Sequence, residues 1–221
     1  MNEKERLILA RFLFPELTRS VDIEKLLNKA DAGARLCRLK YAEPGFTRDV
    51  CLLIHKETTW IFCLRAPELS SWELSEPEEV REACILLMND CDDRDRDTQT
   101  APTPAPAMLL SRKRFEQIQE ESDPLPVHIL SDLLEEASGD VVNAPRLARI
   151  MKRCTSKGEL RLCMHGSSGW NTQYASYIAD PSGAFVLRVG RGTEDWMIAA
   201  PTTKAEFCNA VTQWVLKAAP I

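Results

Sequence analysis

Leu160-Arg161-Leu162-Cys163-Met164-His165 alternates Leu160, Leu162 and Met164 with Arg161, Cys163 and His165. A period of two is that of a β-strand with one buried face. The middle of this strand repeats an earlier segment: Arg35-Leu36-Cys37 recurs as Arg161-Leu162-Cys163, 126 positions on. Trp72 and Cys84 recur in the same way as Trp196 and Cys208, at an offset of 124. Between these anchors, 47–65 can be laid over 172–190 at an offset of 125, so that Trp60 meets Phe185 and Leu64 meets Val189. A register this constant over half the chain reads as an internal duplication.

Each copy has its own strand and helix signals. Val50 to Ile54 and Trp60 to Leu64 are continuous apolar runs rich in strand formers, as expected of strands covered on both faces. Lys56-Glu57-Thr58 in one copy and Asp180-Pro181-Ser182-Gly183 in the other suit tight turns, so the strands pair as antiparallel hairpins. Ser75-x-x-Glu78 and Thr203-x-x-Glu206 have the form of capping boxes, in which hydroxyl and carboxylate satisfy the free amides of a first helical turn. Behind them run two apolar stripes at helical spacing, Val80, Ala83, Cys84, Leu87, Met88 and Phe207, Val211, Trp214, Val215, Ala218. Further helices are expected at about 3–14 and 22–31 in the first copy, and at about 111–121, 126–137 and 144–154 in the second.

The expected fold class is therefore α+β: two pseudo-symmetric repeats, each made of helices, an antiparallel β-meander and a closing helix. They share a central sheet across a pseudo-twofold axis, with flanking helices at its ends or on one face. Residues 1–90 form the N-terminal repeat and 109–221 the C-terminal one. The segment 91–108 passes from Asp/Arg-rich to Thr/Pro/Ala-rich sequence that cannot build a core, and reads as a linker.

Composition narrows the function. With 221 residues, 44% of them hydrophobic, the chain can fill a core of its own. A formal net charge of −5 provides no global field to attract nucleic acid. No apolar run approaches the roughly 20 residues that span a bilayer, and Met1-Asn2-Glu3-Lys4-Glu5-Arg6 precedes too short an apolar stretch for a secretory signal, so a cytoplasmic location is expected. The eight cysteines lie mostly inside strand or helix patterns and read as buried reduced thiols.

Chemistry is weakly signalled. There is no Cys-x-x-Cys, and His55, His128 and His165 have no ligand partner at i+3 or i+4, so no metal or cofactor is assigned. Asp90 to Asp97 starts like a calcium loop, but Arg94 stands where an oxygen ligand belongs and the glycine and distal glutamate are missing. Gly166-Ser167-Ser168-Gly169 and Gly190-Arg191-Gly192 lie between strands and read as hairpin turns, not phosphate cradles. His165 beside Cys163 is the most plausible nucleophilic pair, and a rim pair on one strand face is the plainer reading. No catalytic residue is assigned. Trp72, Trp170, Arg188 and Arg191 are the candidate partner-binding residues, because Trp and Arg anchor protein interfaces. For Trp72 core packing competes with that role, and Trp170 is expected in a loop from Gly166 to Asn171.

From Leu110 onward the order of motifs resembles a known family. Leu110-Ser111 and an amphipathic helix are followed by Ser122-Asp123-Pro124, Leu130-Ser131-Asp132-Leu133-Leu134, and Ala144-Pro145-Arg146-Leu147-Ala148-Arg149-Ile150-Met151. Gly158-Glu159-Leu160, Ile178-Ala179-Asp180-Pro181-Ser182-Gly183 and Asp195-Trp196-Met197-Ile198-Ala199-Ala200-Pro201 then precede a final helix. This succession is similar to the C-terminal half of the EspG proteins, chaperones of ESX (type VII) secretion. The first half fits more loosely, through three strands and a helix from Ala34 to Met88. The resemblance implies a pseudo-symmetric fold that keeps PE/PPE-type substrates apart before export by covering the tip of their helical hairpin. The chain is shorter than most members and richer in cysteine, and its turn near Lys56 is short where some members use that loop to grip the substrate. The alternatives are a non-enzymatic structural or adaptor subunit of another assembly, or an enzyme with a pocket near His165.

Overall fold

The structure, a computed structural model, describes residues 3–15, 27–28, 30, 33–55, 58–63, 71–88, 106–166, 169–189 and 195–217, with the backbone alone at 63, 71 and 72. Most of the helix expected at 22–31, most of the linker, the turn at Lys56 and the Gly190–Gly192 segment lie outside these residues.

The first half contains α1 (Glu3–Leu13), β1 (Arg35–Glu43), β2 (Phe46–His55), β3 (Thr58–Cys63), β4 (Ser71–Leu74) and α2 (Pro77–Leu87). The second contains β5 (Met108–Ser111), α3 (Arg112–Glu121), α4 (Val127–Ser138), α5 (Asn143–Arg153), β6 (Ser156–Gly166), β7 (Gly169–Asp180), β8 (Gly183–Val189), β9 (Trp196–Thr202) and α6 (Lys204–Lys217). All described strands join one antiparallel sheet in the order β4-β3-β2-β1-β6-β7-β8-β9-β5. The meander β1 to β4 and the meander β6 to β9 therefore meet at β1 and β6 and run outward in mirror order. That is the pseudo-twofold arrangement expected from the repeat.

The ladders fix the symmetry more closely than the sequence does. The offset of 125 carries the pair Val50↔Cys63 onto Ala175↔Arg188, so the β2–β3 and β7–β8 hairpins correspond residue for residue. Following the ladder inward, Leu39↔Val50 corresponds to Leu160↔Ala175, and Leu39 and Leu160 are themselves paired across the junction. The axis thus passes through that Leu–Leu pair. In this register Trp72, opposite Ile61, corresponds to Ala200, opposite Val186, and not to Trp196. Arg35-Leu36-Cys37 likewise does not overlie Arg161-Leu162-Cys163. Strand slips in β1 and β4 are absorbed by turns of different length, which sequence offsets cannot register.

Helices cover both faces of the sheet, not one. On the front, α2 and α6 close a single core in which Val80 and Cys84 of α2 and Phe207, Val211 and Trp214 of α6 share the same apolar cluster. The Phe207 ring stacks on Tyr177 at 4.6 Å between centroids. Cys208 Sγ lies 3.8 Å from the Cys84 carbonyl oxygen, so these two repeat anchors meet across the axis. On the back, α1 covers Leu36, Cys51, Leu53 and Cys163 near the centre. There α3 to α5 cover Phe185, Leu187, Met197 and Ala199.

Local signals agree in one closing helix and fail in the other. At α6 the capping box forms: the Glu206 amide donates to Thr203 Oγ1 at 3.1 Å, and the Thr203 amide donates to Glu206 Oε2 at 2.8 Å. At α2 the helix starts at Pro77 behind Glu76, with no side-chain cap, so the expected Ser75/Glu78 box is not made. Proline is favoured in a first helical turn because its missing N–H is not needed there. It places the start two residues past Ser75.

Candidate partner-binding surface

Beyond the edge of α6 the front face of the second half lies open. Ala175, in the core, pairs with Arg188, which pairs with Ile198, which pairs with Leu109, so one row crosses β7, β8, β9 and β5 on a single face. Trp196, two residues before Ile198, shares that face, as does Ala200 opposite Val186. The alternation is clear in β9: Met197 and Ala199 point back into the core, whereas Trp196 is 43% exposed. Leu109 on β5 is 50% exposed between buried Met108 and Leu110. None of Leu109, Trp196 and Ile198 belongs to the described core clusters.

This strip exists because β5 adds a ninth strand to one end of the sheet. The Arg112 amide donates to the Asp195 carbonyl oxygen at 2.8 Å, which ties the start of α3 to the residue before Trp196. Large apolar side chains gathered on a sheet face, beside a guanidinium, have the composition of an interface centre.

Arg188 is on the strip and half-buried. Arg191 lies outside the described residues, in the connection that follows Val189, the ladder partner of Met197. Trp170 is not in a loop: it is the second residue of β7, paired with His165, and their rings meet edge to face at 5.2 Å. It packs against the back-face core under α1, and its Nε1 is buried with no partner among the described residues. Trp72 is in β4, at the other end of the sheet from the strip. Trp72, Trp170 and Arg188 are therefore not brought together, and of these three only Arg188 is on the strip with Leu109 and Trp196. Sequence reading missed Leu109 because β5 is four residues long and directly follows the proline-rich segment. Trp196 was passed over because the repeat register paired it with Trp72.

Among the described residues, no group of three or more His, Cys, Asp or Glu side chains converges to hold a metal ion. No described helix is long and apolar enough to cross a membrane. The buried thiols are poor nucleophiles: burial pushes Cys84 up to about 11 and Cys51 up to about 12.

No protein-family model matches the sequence, and no curated protein matches it. Among solved structures, the chain is similar in fold to the Mycobacterium tuberculosis type VII secretion system chaperone EspG5, determined in complex with the PE25-PPE41 dimer. The TM-score is 0.58 at 10% identity, covering 97% of this chain and 83% of that one. At that identity the likeness is one of fold.

Proposed function

We propose that this protein is an EspG-type chaperone or adaptor that binds a helical, PE/PPE-like secretion substrate in the cytoplasm and performs no catalysis. The observation that carries this reading is the extent of the fold likeness: nearly the whole chain matches a chaperone whose own structure contains a PE–PPE dimer. The open strip supplies a surface of suitable chemistry. Leu109, Trp196 and Ile198 offer apolar area to one face of an amphipathic helix, with Arg188 on the same row of the sheet.

Co-expression with PE/PPE-like proteins encoded beside it tests the function. A complex of 1:1 or 1:1:1 composition on size-exclusion chromatography with light scattering is expected. Separate elution of every component would contradict the reading.

A further inference from the structure

β5 is the last strand of the sheet, so one side of its backbone faces no described strand. Which groups lie on that side is set by the bond from the Arg112 amide to the Asp195 carbonyl oxygen, in the register that pairs Ser111 with Trp196. An antiparallel ladder alternates hydrogen-bonded and non-hydrogen-bonded pairs, so Met108 and Leu110 bond to β9 while Leu109 and Ser111 turn their backbone groups outward. The Leu109 amide, the Leu109 carbonyl and the Ser111 amide therefore point away from the sheet, and no described residue hydrogen-bonds to them. The Ser111 carbonyl is taken up by α3, because Ser111 is the N-cap of that helix.

Natural sheets blunt such an edge with charge, proline or a covering element. At the opposite end of the sheet β4 carries the exposed Glu73. β5, Met108-Leu109-Leu110-Ser111, has no charged residue, and Leu109 at its middle is 50% exposed. At its start, Asn143 Nδ2 donates to the Pro106 carbonyl oxygen at 2.9 Å, which brings the turn with exposed Val141 and Val142 to the same edge.

The edge is complementary to itself. When a second β5 lies antiparallel with Leu109 opposite its own counterpart, the two residues exchange both amide-to-carbonyl bonds. The Ser111 amide of each copy then faces Ala107 of the other, a residue that is exposed and has no hydrogen bond among the described residues. The two Leu109 side chains meet on the front face, with Cα atoms about 5.5 Å apart. Arg112, Lys113 and Arg114 lie beyond opposite ends of the pairing in the two copies, so their charges do not oppose each other.

We propose that β5 pairs with β5 of a second copy about a twofold axis at Leu109, joining two sheets edge to edge. The contact is small beside a standard interface, so association belongs in the micromolar range. The proposal does not rest on the chaperone reading, because the chain alone makes the contact.

Sedimentation equilibrium on the full chain tests it. The weight-average mass is expected to rise from 25.0 kDa towards twice that value between about 1 and about 500 µM. Leu109→Pro removes an amide that the β9 ladder does not use, and Leu109→Lys sets two like charges across the axis. Each is expected to weaken association tenfold or more at an unchanged thermal midpoint, while Glu73→Lys at the other edge leaves it unchanged. In the unaltered protein, hydrogen exchange at the Leu109 and Ser111 amides is expected to slow as concentration rises. A mass of 25.0 kDa throughout, a dimer indifferent to Leu109→Lys, or dimerisation that leaves exchange at these two amides unchanged would overturn the proposal.

Discussion

Arg38 is the largest of the fully buried side chains among the described residues, and each of its three guanidinium nitrogens donates a hydrogen bond. Beside the paired contact to Asp49, its NH1 donates to the Leu13 carbonyl oxygen at 2.7 Å, while Arg161 NH1 donates to that of Phe12 at 2.8 Å. The two arginines are paired across the β1–β6 junction, so together they meet the negative end of α1. Asp49→Ala would strand a buried charge and should cost about 3–5 kcal/mol, read as a lowered urea midpoint. A loss below about 1 kcal/mol would show that water or another group replaces the carboxylate. None of this was legible in the sequence, where Arg38 and Asp49 are ordinary polar residues on different strands and only the ladder brings them together. Buried thiols make a second residue-scale prediction. Cys51 and Cys84 have folded-state values raised to about 12 and about 11, above the usual 9.0, so the fold favours their protonated forms. Their contribution is complete below about pH 9 and is lost as pH rises toward 11–12, at up to about 1.4 kcal/mol per pH unit for each thiol that ionises only when unfolded. Thermal midpoints recorded under reducing conditions should therefore fall steeply above about pH 9, and a Cys84→Ala protein should fall less steeply.

At the scale of the element, what could be read was what is local. The α6 capping box is encoded by Thr203 and Glu206 three residues apart, and Thr203→Ala should cost about 1 kcal/mol in a chemical melt. Ser75→Ala, outside the α2 cap, should cost a few tenths at most, and equal losses would contradict the assignment. The strands β2, β3 and β6 declared themselves through period-two or all-apolar runs. The four-residue strands β4 and β5 did not, because each exists only through the neighbour it pairs with. Gly158 shows how close the elements pack. A Cβ there would stand 3.1 Å from Tyr177 Cβ and 3.2 Å from Phe207 Cε1, where α6 rests on β7. Gly158→Val should destabilise by about 1–3 kcal/mol, seen as a lowered thermal midpoint, unless the Phe207 ring can turn aside.

For the molecule as a whole, the duplication pointed to one sheet shared by both meanders, and the ladder adds that they join through their first strands, β1 and β6. It did not predict the helices on both faces, which depend on how far each connection reaches. The halves are also tied by polar contacts: Glu43 at the end of β1 accepts from Tyr41 and from Lys204 at the start of α6, at 2.8 and 3.0 Å. The candidate surface was the least legible part, since a row drawn from β8, β9 and β5 becomes visible only once the register is known. The central claim is that this row grips a helical partner. Titration calorimetry of a co-purified PE/PPE-like partner against Trp196→Ala and Leu109→Asp proteins tests it directly. The account predicts affinities weakened tenfold or more, about 1.4 kcal/mol, at unchanged thermal midpoints. Wild-type affinity in both variants would contradict it.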